Sequence, residues 1–389
     1  MMKRKVCIVT GTRAEWGLLS GIAKELKSRD DVELQIVATN MHLDARYGHT
    51  IDCIIADGFE VDQRVPMAVD GDSRAMIAKA MARCLDGMVD AFARLNPDLI
   101  VILGDRYEML SVASAATLMC IPIVHLHGGE ISEGAIDDSI RHAITKLSSL
   151  HLTATEEYRN RVIQMGEHPD RVINTGAIGV YNVAHIQPLS LEDLSKSLGF
   201  EFDSKTLLVT YHPATLDDAD VSQRCKDLLD ALDAFPEYKV IITYPNNDAQ
   251  GRVIIDMIEQ YASAHSERVL VIPSLGLHRY ISALHYVSAV IGNSSSGIIE
   301  VPSLHIPTVN VGIRQQGRMA SDSVINCADD KDSIVNAIAF ALSAEGQHRA
   351  KFADNPYCKE NTLNLIVEAI ATTPLESLKR KSFYDLNEL

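Results

Sequence analysis

The chain has 389 residues, enough for two or three domains. Apolar residues make up 47% and charged residues 23%, which is the composition of a globular protein and excludes a disordered or fibrous one. With 36 Lys and Arg against 52 Asp and Glu, the net charge is −16. A nucleic-acid partner is therefore not expected, and any anionic ligand must be held by a local basic cluster.

Cysteine spacing and hydropathy indicate a cytoplasmic protein. The seven cysteines are widely spaced and include no CxxC pair, which excludes a zinc knuckle and indicates reduced thiols. The apolar run after the basic residues 1–5 is too short for a signal peptide. Residues 109–129 carry no Asp, Glu, Lys or Arg, but Pro122 and the closing Gly-Gly favour a helix followed by a buried strand over a membrane span. No membrane partner is expected.

Short apolar, β-branched runs alternate with helical stretches along the chain. Because the runs are continuously apolar, we expect parallel strands covered on both faces by helices, such as those predicted at 74–94 and 227–235. The predicted strands lie at 6–10, 34–38, 99–103, 121–125, 150–153, 207–210, 240–243, 269–272, 289–291 and 308–311.

The strands fall into two series, which predicts an α/β fold with two doubly wound, Rossmann-like domains. The first domain is predicted at 1–176 and the second at 177–359, with a hinge near 176–186. A helical tail at 360–389 is expected to pack back on the first domain.

In such sheets ligands bind beyond the carboxyl ends of the strands. The turn after the first strand begins at Gly11 and carries Arg13, so its N–H groups and the guanidinium could face an anion, although a plain strand-to-helix turn has the same pattern. Asp105 and Arg106 follow a wholly apolar strand, where adjacent charges are costly unless they are used or paired.

Further polar residues follow the next strand. His125 and His127 share one face of an extended segment, so both a metal site lacking a third clear ligand and structural histidines are possible. Glu130 is a candidate acid or base. Asp137 and Asp138 open a helix that either could cap, and one of them is expected to face Glu130 and Asp105.

The second half carries groups suited to a nucleotide diphosphate. Pro213 holds His212 at a strand tip, and Asn246 follows the next strand. Hydroxyl groups at a helix start suit a phosphate, although ordinary helix capping is the alternative. Because the candidate acids lie only in the first half, we expect the second domain to hold the nucleotide. The other candidate contacts there are Ser294, Ser295, Glu300 and Arg314.

The strand-end motifs together resemble a known family. They are GTRAEWG, GDRYE, HLHGGE, IDDSIRHAITK, YHPATL, YPNND, GNSSSGIIEVPS and RQQGR, in order from about residue 5 to about 365. This set resembles the hydrolysing UDP-N-acetylglucosamine 2-epimerases. The resemblance implies the two-domain glycosyltransferase-like (GT-B) architecture with the domains facing across a cleft.

The resemblance also implies the reaction and the site. Members convert UDP-N-acetylglucosamine to N-acetylmannosamine and UDP, the first step toward sialic acid, with no nicotinamide and no catalytic metal. A homo-oligomer, either dimer or tetramer, is expected. The matching catalytic residues are Asp105, Glu130, Asp137 and His212. The matching substrate and UDP contacts are Arg13, Arg106, Asn246, Ser294, Ser295, Glu300 and Arg314.

Four alternatives stay open from the sequence. Asp138 matches the third carboxylate as well as Asp137 does. A branch of the family acts instead on N,N'-diacetylbacillosamine nucleotides, on the way to legionaminic acid. A retaining glycosyltransferase or a non-catalytic UDP-sugar sensor would share the fold, but neither needs three carboxylates around the sugar.

Overall fold

The computed structural model describes residues 3–69, 71, 73–201, 203–216 and 220–386. The chain forms two compact units. One comprises Met1–Glu130, Asp137–Tyr181 and Lys359–Leu389, and the other comprises Ile131–Ile136 and Asn182–Cys358. The predicted domain bounds, 1–176 and 177–359, stay a prediction. Residues 387–389 of the predicted tail lie outside the described residues.

The first unit is built on a parallel sheet. Its order is residues 63–65, 32–39, 4–10, 99–103, 123–126, 150–153 and 172–174, so the direction of the connections reverses between the third and fourth of these strands. In chain order its strands are β1 (Arg4–Thr10), β2 (Val32–Thr39), β3 (Gln63–Val65), β4 (Leu99–Leu103), β5 (Ile123–Leu126), β6 (Leu150–Thr153) and β7 (Val172–Asn174).

The second unit has its own parallel sheet. Its strands are β8 (Thr206–Thr210), β9 (Lys239–Thr243), β10 (Val269–Ile272), β11 (Ala289–Gly292), β12 (Thr308–Val311) and β13 (Val324–Cys327). They are arranged in the order β10-β9-β8-β11-β12-β13, with the reversal between β8 and β11. The two sheets confirm the predicted α/β class with two doubly wound units.

Helices connect the strands and cover the sheets. In chain order they are α1 (Arg13–Ser28), α2 (Ile51–Ala56), α3 (Arg74–Leu95), α4 (Tyr107–Leu118), α5 (Asp137–Leu147), α6 (Glu156–Gln164), α7 (Ile178–His185), α8 (Leu191–Leu198), α9 (Val221–Leu232), α10 (Gly251–Ala264), α11 (Gly276–Leu284), α12 (Ser296–Ile299), α13 (Lys331–Leu342), α14 (Ala344–Lys351), α15 (Thr362–Thr372) and α16 (Leu375–Lys379).

Each sheet is buried on both faces. Successive side chains of a strand point to opposite sides, so a strand contributes to the apolar cluster on each face. In β1, Val6 and Ile8 belong to one apolar cluster, and Cys7 and Val9 belong to another. The first cluster also contains Ile370 of α15, and Arg4 donates to the main-chain carbonyls of Ile370 at 2.6 Å and Thr373 at 2.8 Å. In the second unit, β8 likewise divides its side chains between two clusters.

All ten predicted strands are present, and three more were missed. The missed strands β3, β7 and β13 are three or four residues long and each lies at a sheet edge, where a strand needs no long apolar run. Helix α9 begins at Val221 rather than 227, because the Asp220 carboxylate accepts from the Ser222 backbone N–H at 2.9 Å and starts it there.

Two other predicted segments can be compared directly. Residues 109–129 hold α4 and β5, as expected, and none of the helices in the described part of the chain is long and apolar enough to cross a membrane. The predicted hinge segment at 176–186 contains the helix α7, and the boundary between the two units falls inside it, after Tyr181. Its role as a hinge stays a prediction.

Candidate active site

The turn after β1 is closed by a reciprocal cap at the start of α1. The Thr12 hydroxyl accepts from the Glu15 backbone N–H at 3.2 Å, and Glu15 Oε2 accepts from the N–H groups of Gly11 at 2.7 Å and Thr12 at 3.2 Å. These two N–H groups therefore face a side chain of the protein, which matches the alternative of a plain strand-to-helix turn. The predicted contact of Arg13 with an anion stays a prediction. Arg13 is the first residue of α1 and is half-buried.

Two predicted acid/base residues are organised around one guanidinium. Asp105 follows β4 and Glu130 follows the adjacent strand β5. Arg141 of α5 donates from Nη2 to Asp105 Oδ2 and from Nη1 to the Glu130 main-chain carbonyl at 2.9 Å. The Arg141 side chain is 1% exposed, and a buried guanidinium requires such partners. Arg141 therefore ties the two strand ends to α5.

The two aspartates at the start of α5 have different surroundings. Asp137 is buried, whereas Asp138 is partly exposed. Asp138 Oδ1 lies 3.3 Å from Arg141 Nη1, and Asp138 Oδ2 lies 3.5 Å from His142 Nε2. Asp138 thus contacts one cationic side chain, Arg141, and one imidazole, His142, on its own helix. The catalytic assignment to Asp137 stays a prediction.

Arg106 is packed within its own loop. It lies at the N-cap of α4, is 7% exposed, and its Nε is 3.5 Å from Glu108 Oε1. Its guanidinium also lies 5.0 Å from the centre of the Tyr107 ring. Its predicted contact with substrate stays a prediction.

The two histidines of the segment after Pro122 have separate partners. His125 Nε2 lies 2.7 Å from the Gly104 carbonyl and Nδ1 lies 3.2 Å from Thr145 Oγ1, while burial lowers its pKa to about 3. His127 Nδ1 lies 2.8 Å from Glu130 Oε1. Within the described ranges, no three His, Cys, Asp or Glu side chains are grouped so that they could hold a metal ion. His125 therefore matches the structural alternative rather than the metal ligand.

In the second unit, His212 is held by main-chain and amide contacts at the end of β8. Its backbone N–H donates to Asn293 Oδ1 at 2.7 Å, and Asn293 Nδ2 donates back to the His212 carbonyl at 2.8 Å. The Asn246 N–H donates to His212 Nδ1 at 3.2 Å. Since Nδ1 accepts, the neutral ring carries its proton on Nε2.

Asn293 also connects this histidine to the loop after β12. Its main-chain carbonyl accepts from Arg314 Nη1 at 3.0 Å and from Gln315 Nε2 at 2.9 Å. Asn293, Arg314 and Gln315 are all buried. The structure thus connects three predicted site residues: Asn293 contacts His212 and Arg314, and Asn246 contacts His212.

The serine-rich loop follows Gly292, the last residue of β11. Gly292 has a φ of +127° and lies so close to the Thr210 carbonyl that a Cβ would be 1.9 Å from it. The helix that follows, α12, has only four residues, and Ser295 at its N-cap makes no side-chain cap. Ser296 Oγ lies 2.5 Å from the Tyr280 hydroxyl. Glu300 lies at the C-cap of this helix rather than within it, since α12 is shorter than expected. The predicted contacts of Ser294, Ser295 and Glu300 with the nucleotide stay predictions.

Comparisons with known proteins show the family of this chain. The family model described as UDP-N-acetylglucosamine 2-epimerase matches residues 24–371. The chain belongs to this family, in its hydrolysing branch. A hydrolysing GDP/UDP-N,N'-diacetylbacillosamine 2-epimerase of Campylobacter jejuni is 41% identical over 84% of this chain and 85% of its own length. The polysialic acid biosynthesis protein P7 of Escherichia coli is 36% identical over 99% and 98% of the two chains.

A solved structure agrees at the level of the fold. The UDP-N-acetylglucosamine 2-epimerase of Neisseria meningitidis, solved with UDP-N-acetylglucosamine, superimposes with a TM-score of 0.76 over 95% of this chain and 100% of the other, at 16% identity. The family resemblance is confirmed, and the protein is a hydrolysing 2-epimerase of nucleotide sugars.

Several residues that organise the site were not assigned from the sequence. They share burial and contacts made far along the chain, and they are Arg141, Asn293 and Gln315. Arg141 lies in the motif IDDSIRHAITK, four residues after Asp137. A basic residue one helical turn after an acidic one is a local pattern that could have indicated an ion pair at this place. Nothing in the local sequence marked Asn293 as the partner of His212.

Proposed function

We propose that the protein converts UDP-N-acetylglucosamine and water to N-acetylmannosamine and UDP, as a step toward sialic acid. One observation supports this above all: the Asp105 carboxylate and the backbone of Glu130 are bound to the same buried guanidinium, that of Arg141. Inversion at carbon 2 needs two acid/base groups, one for each face of the sugar. Binding a UDP-sugar, or transferring its glycosyl group, has no such requirement.

The proposed route is an anti elimination followed by hydration. The hydrogen on carbon 2 is not acidic, so its removal by Asp105 or Glu130 accompanies departure of UDP from carbon 1 and leaves a C1=C2 double bond. Water then adds its oxygen to carbon 1, and a proton reaches carbon 2 from the opposite face. Asp137 is the third acid/base group in this proposal. No atom changes its oxidation state over the two steps, so the route requires no nicotinamide.

The second unit supplies groups suited to the leaving diphosphate. The Nε2–H of His212 is a donor for the negative charge that develops as UDP departs. Arg314 lies against the same Asn293 that holds His212. We propose nucleotide or diphosphate contacts for Arg13, Arg106, Asn246, Ser294, Ser295, Glu300 and Arg314. A dimer or tetramer and a cytoplasmic location also stay predictions.

A second substrate is favoured by one specific observation. The Campylobacter jejuni relative, at 41% identity, is named for N,N'-diacetylbacillosamine, whereas the Escherichia coli relative, at 36%, is named for polysialic acid biosynthesis. UDP-N,N'-diacetylbacillosamine has an acetamido group at carbon 4 and a methyl group at carbon 5. A site that hydrogen-bonds the substrate hydroxyls would discriminate strongly against a sugar lacking them.

The test is to incubate the protein with each nucleotide sugar in deuterium oxide and to follow the products by NMR. We expect free N-acetylmannosamine with one deuterium at carbon 2, and a higher kcat/KM for UDP-N-acetylglucosamine. A higher kcat/KM for the bacillosamine nucleotide would show that this nucleotide sugar, and not UDP-N-acetylglucosamine, is the preferred substrate. Release of N-acetylglucosamine with retained configuration would contradict the epimerase mechanism itself.

Two variants connect this test to the site. Asp105→Asn and Glu130→Gln should each lower kcat by about 10²–10⁴-fold, the usual contribution of acid/base catalysis, with UDP affinity retained. Folding of the Asp105→Asn variant should be checked by circular dichroism, because the substitution removes the carboxylate that contacts Arg141 Nη2. Unchanged kcat in both would remove these residues from the chemistry.

A further inference from the structure

His127 and Glu130 form a hydrogen-bonded pair. The proposed reaction assigns a role to Glu130 but none to His127. The atoms His127 Nδ1 and Glu130 Oε1 are 2.8 Å apart, and both side chains are buried, at 11% and 3% exposure. His127 Nε2 is buried and has no hydrogen-bond partner among the residues that the structure describes. Among the described residues, the hydrogen bond of the His127 ring is therefore the one that Nδ1 makes with the Glu130 carboxylate.

The backbone supports the pair at a conformational cost. His127 has a φ of +64°, in the left-handed region that side chains other than Gly and Asn seldom adopt. Its N–H donates to the Leu152 carbonyl at 2.9 Å, which anchors the turn to β6. Strained residues of this kind persist where the surrounding structure holds them, and they concentrate at functional sites.

The rest of the loop is fixed from several sides. Gly129, with a φ of +79°, packs so closely on α6 that a Cβ would lie 2.5 Å from the Tyr158 carbonyl. Arg161 Nη1 donates to the Gly129 carbonyl at 2.6 Å, and Arg141 Nη1 donates to the Glu130 carbonyl at 2.9 Å. The main chain of Glu130 is therefore held, and the contact with His127 restrains its side chain.

We infer that His127 is a positioning residue of Glu130: the hydrogen bond at Nδ1 holds Oε1 and so restrains the orientation in which the carboxyl group meets carbon 2 of the sugar. This inference rests on the proposed function. A carboxyl group that exchanges a proton with carbon must keep one orientation, because a displacement of about 1 Å can lower the rate about 10²-fold.

The test uses two variants that both tolerate the left-handed backbone. In His127→Asn the amide Nδ2 replaces the donor near the Nδ1 position, whereas His127→Gly has no donor. We expect kcat of the Gly variant to fall about 100-fold with KM and UDP affinity within about threefold, and the Asn variant to recover most of the loss. His305, exposed and with a φ of +58°, provides matched controls, His305→Asn and His305→Gly, that should keep kcat.

The outcomes separate this inference from the proposed function. If the wild-type protein releases no sugar inverted at carbon 2, the proposed function fails. If it does, but His127→Gly keeps kcat within threefold, or His127→Asn loses as much as His127→Gly, the positioning role is overturned. Should the Gly variant fail to fold, wild-type protein with ¹⁵N-labelled histidine should give a downfield imidazole N–H signal that Glu130→Gln shifts. A signal unaffected by that substitution overturns the inference.

Discussion

The backbone N–H of Asn246 donates to Nδ1 of His212, 3.2 Å away. This contact assigns the proton of the neutral imidazole to Nε2, so that the outer edge of the ring is a hydrogen-bond donor. Asn293 fixes the backbone of His212 from the other side through its two amide contacts. These contacts support the proposed role of His212 as a donor to the leaving diphosphate.

The first prediction concerns this donor. His212→Asn lacks a donor at the Nε2 position, and kcat/KM should fall by about 10²–10³-fold, the cost of removing one donor to a developing negative charge. His212→Gln reaches that position with its amide and should lose less. Steady-state kinetics of both variants provides the measurement. Equal losses in the two would show that proton transfer, and not donation, is what His212 supplies.

The second prediction separates the two aspartates of α5. Asp137→Asn should lower kcat by about 10²-fold or more, as expected for an acid/base group. Asp138→Asn should keep most of the activity, because Asp138 already faces Arg141 and His142. The two substitutions are chemically identical and adjacent, so each is the control for the other. Activity lost only in the Asp138 variant would reverse the assignment.

The third prediction concerns the side chains proposed to bind UDP. Ser294→Ala and Arg314→Ala should each weaken UDP binding by about 1–3 kcal/mol, the range for a charge-assisted contact, as measured by titration calorimetry. Arg314→Lys keeps the charge but not the fork of donors, and it should fall between wild type and Ala. Unchanged affinity in both Ala variants would remove these residues from the nucleotide site.

The fourth prediction is that turnover does not depend on a divalent ion. Arg and His side chains can neutralise a diphosphate in place of a metal. Dialysis against EDTA should leave kcat unchanged, with a magnesium-dependent enzyme treated in parallel as the control. Activity that disappears with EDTA and returns with a divalent ion would contradict the proposed mechanism.

The fifth prediction concerns stability. Burial, followed by the nearby carboxylate of Glu108, raises the pKa of Glu15 to about 8. A raised pKa means that the folded state holds this proton more tightly than the unfolded state does. The stabilisation is therefore complete below about pH 4.5, the ordinary value for Glu, and is lost as the pH rises through 8.

Glu15→Gln should reduce this dependence. Wild-type unfolding free energy should fall more steeply between pH 5 and 8 than that of the variant, by up to about 1.4 kcal/mol per pH unit for one proton. Urea unfolding across this range measures both slopes. Glu25→Gln, at an exposed position of the same helix α1, is the control and should follow wild type. Parallel curves for wild type and Glu15→Gln would contradict the raised pKa.

The sequence determined the two-sheet α/β fold and the family. Buried parallel strands are continuously apolar, so the nine central strands and the edge strand β10 were visible as local runs, and the motifs that follow them could be recognised without coordinates. The short edge strands β3, β7 and β13 were not visible, because their place depends on the neighbour they pair with and not on a run of their own.

Only the tertiary structure decided how the site residues are partnered. Arg141 meets Asp105 across 36 positions of the chain, and Asn293 meets His212 across 81. Neither contact follows from helical or strand periodicity. The turn at Gly11 illustrates the same limit: its pattern suited an anion, but the Glu15 carboxylate of the protein occupies its N–H groups. Residue types within a motif restrict the chemistry, whereas side-chain rotamers and long-range hydrogen bonds decide which atom faces which.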